Sequence, residues 1–343
     1  MKLMNICPCY HPKDDNDGNL IVYRNEVINL GINIELHFVS ELDSGNFGKV
    51  YKMKNTKSNS YFALKISKKQ FNEVVHRECK LLNEIKSNLD NESLKYIVKF
   101  YCCFNYRGHV CALFELLSLN LYTILKSLRT RGIRINYAKN IIRDVSIALS
   151  GIHSLGMGHF DIKPENILLT DEVNRRAKII DIGNMMKFSN KAVHGYFISR
   201  YYRPPEVVLD LPLSDKADVW SLGCVLAEIV QGCPLFPGKN QHELLKLMTI
   251  RKSQSIPIEM IKLSPKRKEF FDENYNIQYE FKFDDENSSF LKLTIDQFVD
   301  SINADEEDEF LKNNLKDLLK KMLEFEPSKR YSINDVLKHK FFQ

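Results

Sequence analysis

The sequence predicts an α+β chain of two lobes, a small β-rich one followed by a larger helical one. Two changes in apolar spacing carry this reading. Between Ile34 and Ile66 short stretches alternate apolar and polar residues and are bounded by turn residues, the period of strands. After Ser118 apolar residues recur at steps of three and four, the period of helices. Composition agrees: 44% of the 343 residues are hydrophobic, with 21 Phe and 15 Tyr, enough to fill a large core and to exclude disorder throughout.

Taken in order, residues 1–33 carry Pro8, Pro12 and the polar run Lys13 to Gly18, and read as an N-terminal extension to a folded region 34–343. Turns at Asp43-Ser44-Gly45-Asn46 and at Asn55 to Asn59 separate strands, and within Tyr61 to Ile66 the period of two puts Ala63 and Lys65 on one face. Residues 71–87 read as a helix, with Val74, Val75, Leu81, Leu82 and Ile85 as its apolar set. Strands at 96–104 and 109–116 complete a first lobe, 34–117. In 136–156, Ile141, Val145, Ala148 and Ile152 mark a helix that Gly156 stops. The segment 216–231 is apolar almost all round, which implies a helix buried inside the second lobe, 118–343. Asp218 within it then needs hydrogen-bond partners, most economically the backbone amides of a neighbouring loop. Residues 251–310 are polar, with acidic residues from Asp305 to Asp308, and read as an irregular insertion before a final helical stretch.

Charge and cysteine content narrow the function classes. The net charge of +5 is small and scattered, and Lys266-Arg267-Lys268 reads as solvated surface, so direct nucleic-acid binding is not expected. No run approaches the ~18 apolar residues of a membrane span. Asn5 and Pro8 interrupt the only stretch that could be a secretory leader. An intracellular chain, cytoplasmic and/or nuclear, monomeric and away from membranes, is the expectation. The eight cysteines show no paired zinc spacing, and Cys7-Pro8-Cys9 with His11 reads as polar leader. Cys79, Cys111 and Cys224 fall in apolar segments and read as small buried hydrophobes.

Four elements carry chemistry. Ser44-Gly45-Asn46-Phe47-Gly48-Lys49-Val50 lies between two strands, where glycines let backbone N–H groups approach a triphosphate. Lys65 on the next strand and Glu78 on the helix after it form a cation held by a carboxylate, suited to α- and β-phosphates. Gly158 to Leu169 then packs a base, a cation and a metal ligand into six residues. Asp161 can take a hydroxyl proton, Lys163 can neutralise γ-phosphate charge, and Asn166 can coordinate magnesium. Finally Lys178 to Gly183 is a β-like run ending in Asp181, whose carboxylate can hold magnesium between phosphates. In this order the four elements spell phosphoryl transfer.

Over residues 34–343 the chain resembles the eukaryotic protein kinases. The resemblance implies the bilobal protein kinase fold, with a small β-rich N-lobe, a larger helical C-lobe, and ATP with Mg2+ bound between them. Pro204-Pro205-Glu206 is similar to the end of the activation segment, and Asp218 to Gly223 to the buried helix whose aspartate braces the catalytic loop. Arg330 stands where an arginine pairs with the Glu206 equivalent, and Lys163 matches the serine/threonine-class signature. Phe114 to Tyr122 resembles the hinge of the dual-specificity tyrosine-phosphorylation-regulated kinases, in the CMGC group, and of their Yak branch. This implies Phe114 as gatekeeper and Glu115 to Leu117 as adenine contacts. Leu42, Asp43, Val50, Ala63 and Leu168 are then further contacts to the nucleotide. Tyr196 to Glu206 resembles that family's activation segment, which implies autophosphorylation on Tyr196, with Arg200 and Arg203 as nearby phosphate receptors. Asp14 to Leu20 echoes the acidic box that precedes the kinase domain there. Protein substrates are the partners implied.

Four departures accompany the resemblance. Asp43 stands where the first loop glycine is expected, Ile182 replaces the usual phenylalanine, Phe160 replaces the arginine of His-Arg-Asp, and His194 stands in place of the first of two tyrosines. None removes a group that touches the transferred phosphate. The alternatives are a pre-messenger-RNA-processing kinase of the same group, a pseudokinase scaffold and a small-molecule kinase.

Overall fold

The computed structural model describes residues 14–23, 26–31, 33–129, 132–170, 176–192, 198–279, 288–302 and 309–343. They fall into two compact units, one running to Leu89 and including Val98–Leu117, the other made of Asp90–Ile97 and Ser118–Gln343.

The alternating segments of the first unit form strands β1 (Val27–Asn29), β2 (Glu35–Gly45), β3 (Gly48–Asn55), β4 (Ser60–Ser67), β5 (Phe100–Tyr106) and β6 (His109–Glu115). They pair antiparallel in the order β1-β2-β3-β4-β6-β5. Helix α1 (Asn72–Asn88) buries Val75, Cys79, Leu82 and Ile85, spaced to make one apolar stripe, and Glu78 with them. One face of the sheet presents Leu36, Met53, Leu64 and Ile66.

Within residues 1–33, expected as an extension, described residues reach that face. Leu20, Val22 and Ile28 are buried against it and belong to the same core. Sparse apolar residues in a polar run look like tail in a sequence, yet each is worth roughly 1.5–3 kcal/mol once covered. Polar contacts fix the segment. The Asp15 carboxylate accepts from the N–H groups of Asp17 (3.0 Å) and Asn19 (2.8 Å). Asp14 lies 2.9 Å from Nε2 of the buried His109 and also pairs with Lys69. Tyr106 donates its hydroxyl to Glu26 at 2.6 Å.

The units divide after Leu117, where the sequence places the boundary, but residues 90–97 also belong to the second unit. Asp90 caps the short helix α2 (Asn91–Leu94), accepting from Ser93 N–H at 2.8 Å, and Ile179 N–H donates to the Tyr96 carbonyl at 2.9 Å. The strand expected from 96 therefore starts only at Phe100.

In the second unit α3 (Leu121–Ser127) is followed by α4 (Ile135–Ser154), which buries Ile141, Val145, Ala148 and Ile152 as their spacing predicts. Gly156, at φ +70°, follows it. The short helix α5 (Pro205–Val208) precedes α6 (Lys216–Gln231), which is covered along nearly its whole length. Its Trp220 stacks between Phe236 and Phe325, with ring centroids at 5.7 and 6.2 Å. The described residues of 251–310 hold more regular structure than their polarity suggests. Short helices Ile258–Leu263, Arg267–Phe270 and Ile295–Asp300 bury Met260, Ile261, Phe270, Phe298 and Val299. Arg251, itself buried, donates to the carbonyls of Leu235 (3.2 Å) and Leu293 (3.1 Å) beneath the rings of Phe290 and Phe298. Burial pushes this guanidinium down to about 10. Among the described residues no helix is long and apolar enough to cross a membrane.

Candidate active site

In the first unit the β2–β3 hairpin carries Leu42, Asp43, Ser44, Gly45, Asn46, Phe47, Gly48 and Val50. β2 continues to Gly45, so the turn tightens to Asn46 and Phe47 and is narrower than the four residues expected. Gly48 is demanded by packing as well as by any ligand: a Cβ there would stand 2.0 Å from the Ile66 carbonyl oxygen. Leu42 and Phe47 are exposed, and the Phe47 ring meets Phe71 edge-on. In the ladder Val50 lies opposite Lys65, Lys65 opposite Ala112, and Ala63 opposite Phe114. Opposed residues share a face, so Val50, Ala63, Lys65 and Phe114 come together on the side away from the Leu64 core. Lys65 Nζ donates to Glu78 Oε2 at 2.6 Å, and Glu78 is only 3% exposed. A carboxylate so covered needs that cation. At the end of the unit Glu115 accepts from Lys99 N–H at 2.6 Å, and Leu117 is half-buried.

The second unit builds its site around Asp218. Its carboxylate accepts from the backbone N–H of His159 (2.8 Å) and of Phe160 (2.7 Å), and His153 Nε2 lies 2.9 Å away. Those are the loop amides that a buried aspartate requires, and they fix the backbone one residue before Asp161. Asp161 Oδ2 accepts from Lys163 Nζ at 2.8 Å and from Asn166 Nδ2 at 3.0 Å. The Ser199 hydroxyl donates to Asp161 Oδ1 at 3.0 Å and lies 3.3 Å from Lys163 Nζ. Leu168 sits on the strand Ile167–Leu169, opposite Lys178. Ile180 N–H donates to the Asn166 carbonyl at 2.9 Å, which ties the Asn166 turn to the segment ending in Asp181. Asp181 takes a left-handed conformation, φ +57°, and Ile182 after it is buried. Behind these, Arg330 holds Glu206 through two bonds of 2.7 and 2.9 Å, both residues fully covered.

Residues 36–342 match the family described as protein kinase domain. The chain belongs to the protein kinase domain family. It is 34% identical over 265 residues to homeodomain-interacting protein kinase 1 of Caenorhabditis elegans, covering 76% of this chain and 31% of the relative. It is 31% identical over 337 residues to the dual specificity protein kinase YAK1 homolog of Arabidopsis thaliana, covering 88% and 35%. To the dual specificity protein kinase YAK1 of Saccharomyces cerevisiae it is 32% identical over 239 residues, covering 69% and 30%. The similarity agrees with the Yak-branch resemblance. The kinase domain spans about a third of the length of these curated relatives.

Two residues of the kinase domain stand apart from the sequence reading. Ser199 was not foreseen, since one hydroxyl far along the chain from Asp161 leaves no spacing signal. Tyr196, with His194, lies outside the described residues. Of its expected receptors, Arg203 donates to the Ile198 carbonyl at 3.1 and 2.7 Å, and Arg200 donates to the Lys239 carbonyl.

The donor chemistry fits the magnesium ion that this family generally uses. Asn166 makes its bonds to Asp161 through Nδ2, which leaves Oδ1 to face a ligand, and Asp181 adds a carboxylate. Both are the hard oxygens that magnesium takes, alongside substrate phosphates.

Asp43 is exposed and its carboxylate accepts from Ser44 N–H at 2.8 Å. Asp43→Asn keeps an oxygen for that bond and removes a charge that opposes a triphosphate. A single exposed charge is worth up to about 1 kcal/mol, so the KM for ATP is expected to fall by about two- to fivefold. Steady-state kinetics check this, and an unchanged or higher KM places Asp43 away from the phosphates.

Tyr202 donates its hydroxyl to Glu228 at 2.8 Å. Burial, reinforced by the Glu165 carboxylate, pushes the Glu228 carboxyl up to about 7. The folded chain therefore keeps a proton between about pH 4.5 and 7 that the unfolded chain releases. Stability from this group is greatest below pH 4.5 and declines as pH rises through 7, by on the order of 3 kcal/mol. Glu228→Gln, which can still accept from Tyr202, is expected to flatten that decline in denaturant titrations at pH 5 and pH 8. A wild-type curve equally steep in the variant removes Glu228 as its source.

Proposed function

We propose that this kinase domain transfers the γ-phosphate of ATP to serine and threonine hydroxyls of protein substrates. The observation that supports it most is the constellation on Asp161: one carboxylate held by Lys163, Asn166 and Ser199 on a loop braced by Asp218. In the proposed reaction the substrate hydroxyl oxygen bonds to the γ-phosphorus while the bond to the β–γ bridging oxygen breaks and ADP departs. The hydroxyl proton passes to Asp161. The Lys163 ammonium stabilises charge on the transferred group, and Lys65, aimed by Glu78, holds the α- and β-phosphates. Asn166 and Asp181 would hold magnesium, which when bound offsets the charge of the triphosphate oxygens.

The relatives' names support dual specificity, and in that reading Tyr196 is phosphorylated by the enzyme itself. A labelled-ATP assay on a panel of serine, threonine and tyrosine peptides, with Asp161→Asn as the blank, tests the activity. Intact-mass analysis of both proteins tests the autophosphorylation. Equal incorporation by wild type and Asp161→Asn would end the reading of Asp161 as the base.

A further inference from the structure

Phe160, immediately before Asp161, occupies an improbable place for its residue type. Its φ is +59°, a left-handed conformation that bulky side chains rarely adopt, and its ring is fully buried. Space for the ring comes from Gly158, where a Cβ would stand 2.3 Å from the Phe160 Cζ atom. Backbone strain of this kind persists only where the surroundings over-determine it. Here they do, because Asp218 holds the Phe160 N–H and an apolar cluster of Ile198, Leu213, Ala217 and Phe188 holds the ring.

Ile198 links this cluster to the reaction. Its carbonyl accepts both bonds from Arg203, and the residue after it is Ser199, whose hydroxyl donates to Asp161 Oδ1. The chain of neighbours closes a loop: Phe160 and Ile198 share one buried cluster, Ile198 adjoins Ser199, Ser199 bonds Asp161, and Asp161 adjoins Phe160. We propose that Phe160 is a positioning residue, its ring packing in one cluster with Ile198 and so seating the Ser199 hydroxyl on Asp161. Both sides of the contact are hydrocarbon, so its strength comes from exclusion of water and not from charge. The inference rests on the reading of Asp161 as the base.

The test compares turnover on a serine peptide, per nucleotide-binding site, for wild type, Phe160→Ala and Phe160→Leu. A misplacement of about 1 Å can cost a hundredfold, so Phe160→Ala is expected to lose roughly ten- to a hundredfold in kcat with its KM for ATP within twofold. Phe160→Leu, which refills most of the pocket, is expected to recover most of that loss. Fewer binding sites with unchanged turnover per site would mark a merely structural role and overturn the proposal. Should Phe160→Ala not fold, Ile198→Ala, at the other end of the contact, carries the same expectation, and a kcat within threefold of wild type overturns it. Asp161→Asn runs alongside: if it keeps turnover, the reading of the base fails first, whereas the outcomes above sink the Phe160 proposal alone.

Discussion

Asp181→Ala is expected to lower phosphoryl transfer by about 10²–10³-fold, the usual cost of losing one group that stabilises charge in a transition state. Asp181 stands at the end of the segment tied to Asn166, outside the hydrophobic core, so circular dichroism and melting should stay near wild type. Retention of more than about a tenth of the activity would remove Asp181 from the metal site. Lys65→Ala is expected to lose transfer on the same scale, but not with the same stability. Glu78 is 3% exposed and would be left as a buried carboxylate without this cation. The pair Lys65→Met and Glu78→Gln, made together, separates the two effects: stability should return while transfer stays lost. If the double variant transfers phosphate at more than a tenth of the wild-type rate, Lys65 does not serve the nucleotide.

The largest loss of stability is expected at Arg330. Its guanidinium makes both bonds to Glu206 and further bonds to the carbonyls of Glu324, Lys216 and Phe325, all out of water. Arg330→Met leaves a carboxylate with 1% exposure facing hydrocarbon, at a cost of about 3–5 kcal/mol. Adding Glu206→Gln should restore part of this and not all, because the carbonyls of Glu324, Lys216 and Phe325 each lose a donor. Urea denaturation of wild type, the single and the double variant measures the difference. A single variant within about 1 kcal/mol of wild type would show that the pair contributes little.

How much of this was legible follows from how each residue advertises itself. Asp218 is legible because a carboxylate in an apolar helix is a contradiction that only hydrogen bonds resolve, and the two loop amides resolve it. Lys65, Asp161, Asn166 and Asp181 are legible because their motifs are local, each within a few residues. Ser199 and the packing of Phe160 are not, since both depend on contacts between distant segments that no period encodes. Leu20, Val22 and Ile28 are hidden by their polar neighbours, whose side chains bond within the segment and to the sheet. Residues 251–310 mislead for the opposite reason. Polar composition there conceals short helices, each pinned by one to three apolar residues, and Arg251 takes aromatic rings and carbonyls in place of an acid.

The docking of Leu20, Val22 and Ile28 bears on how this domain can be handled. A chain cut at Ile34, where the alternating pattern begins, would uncover Leu36, Met53, Leu64 and Ile66 together and strip β2 of its partner β1. A newly opened edge beside a bare apolar face invites a second molecule to add on there. Self-association of such a fragment would then report the severed boundary and say nothing of how the intact chain assembles.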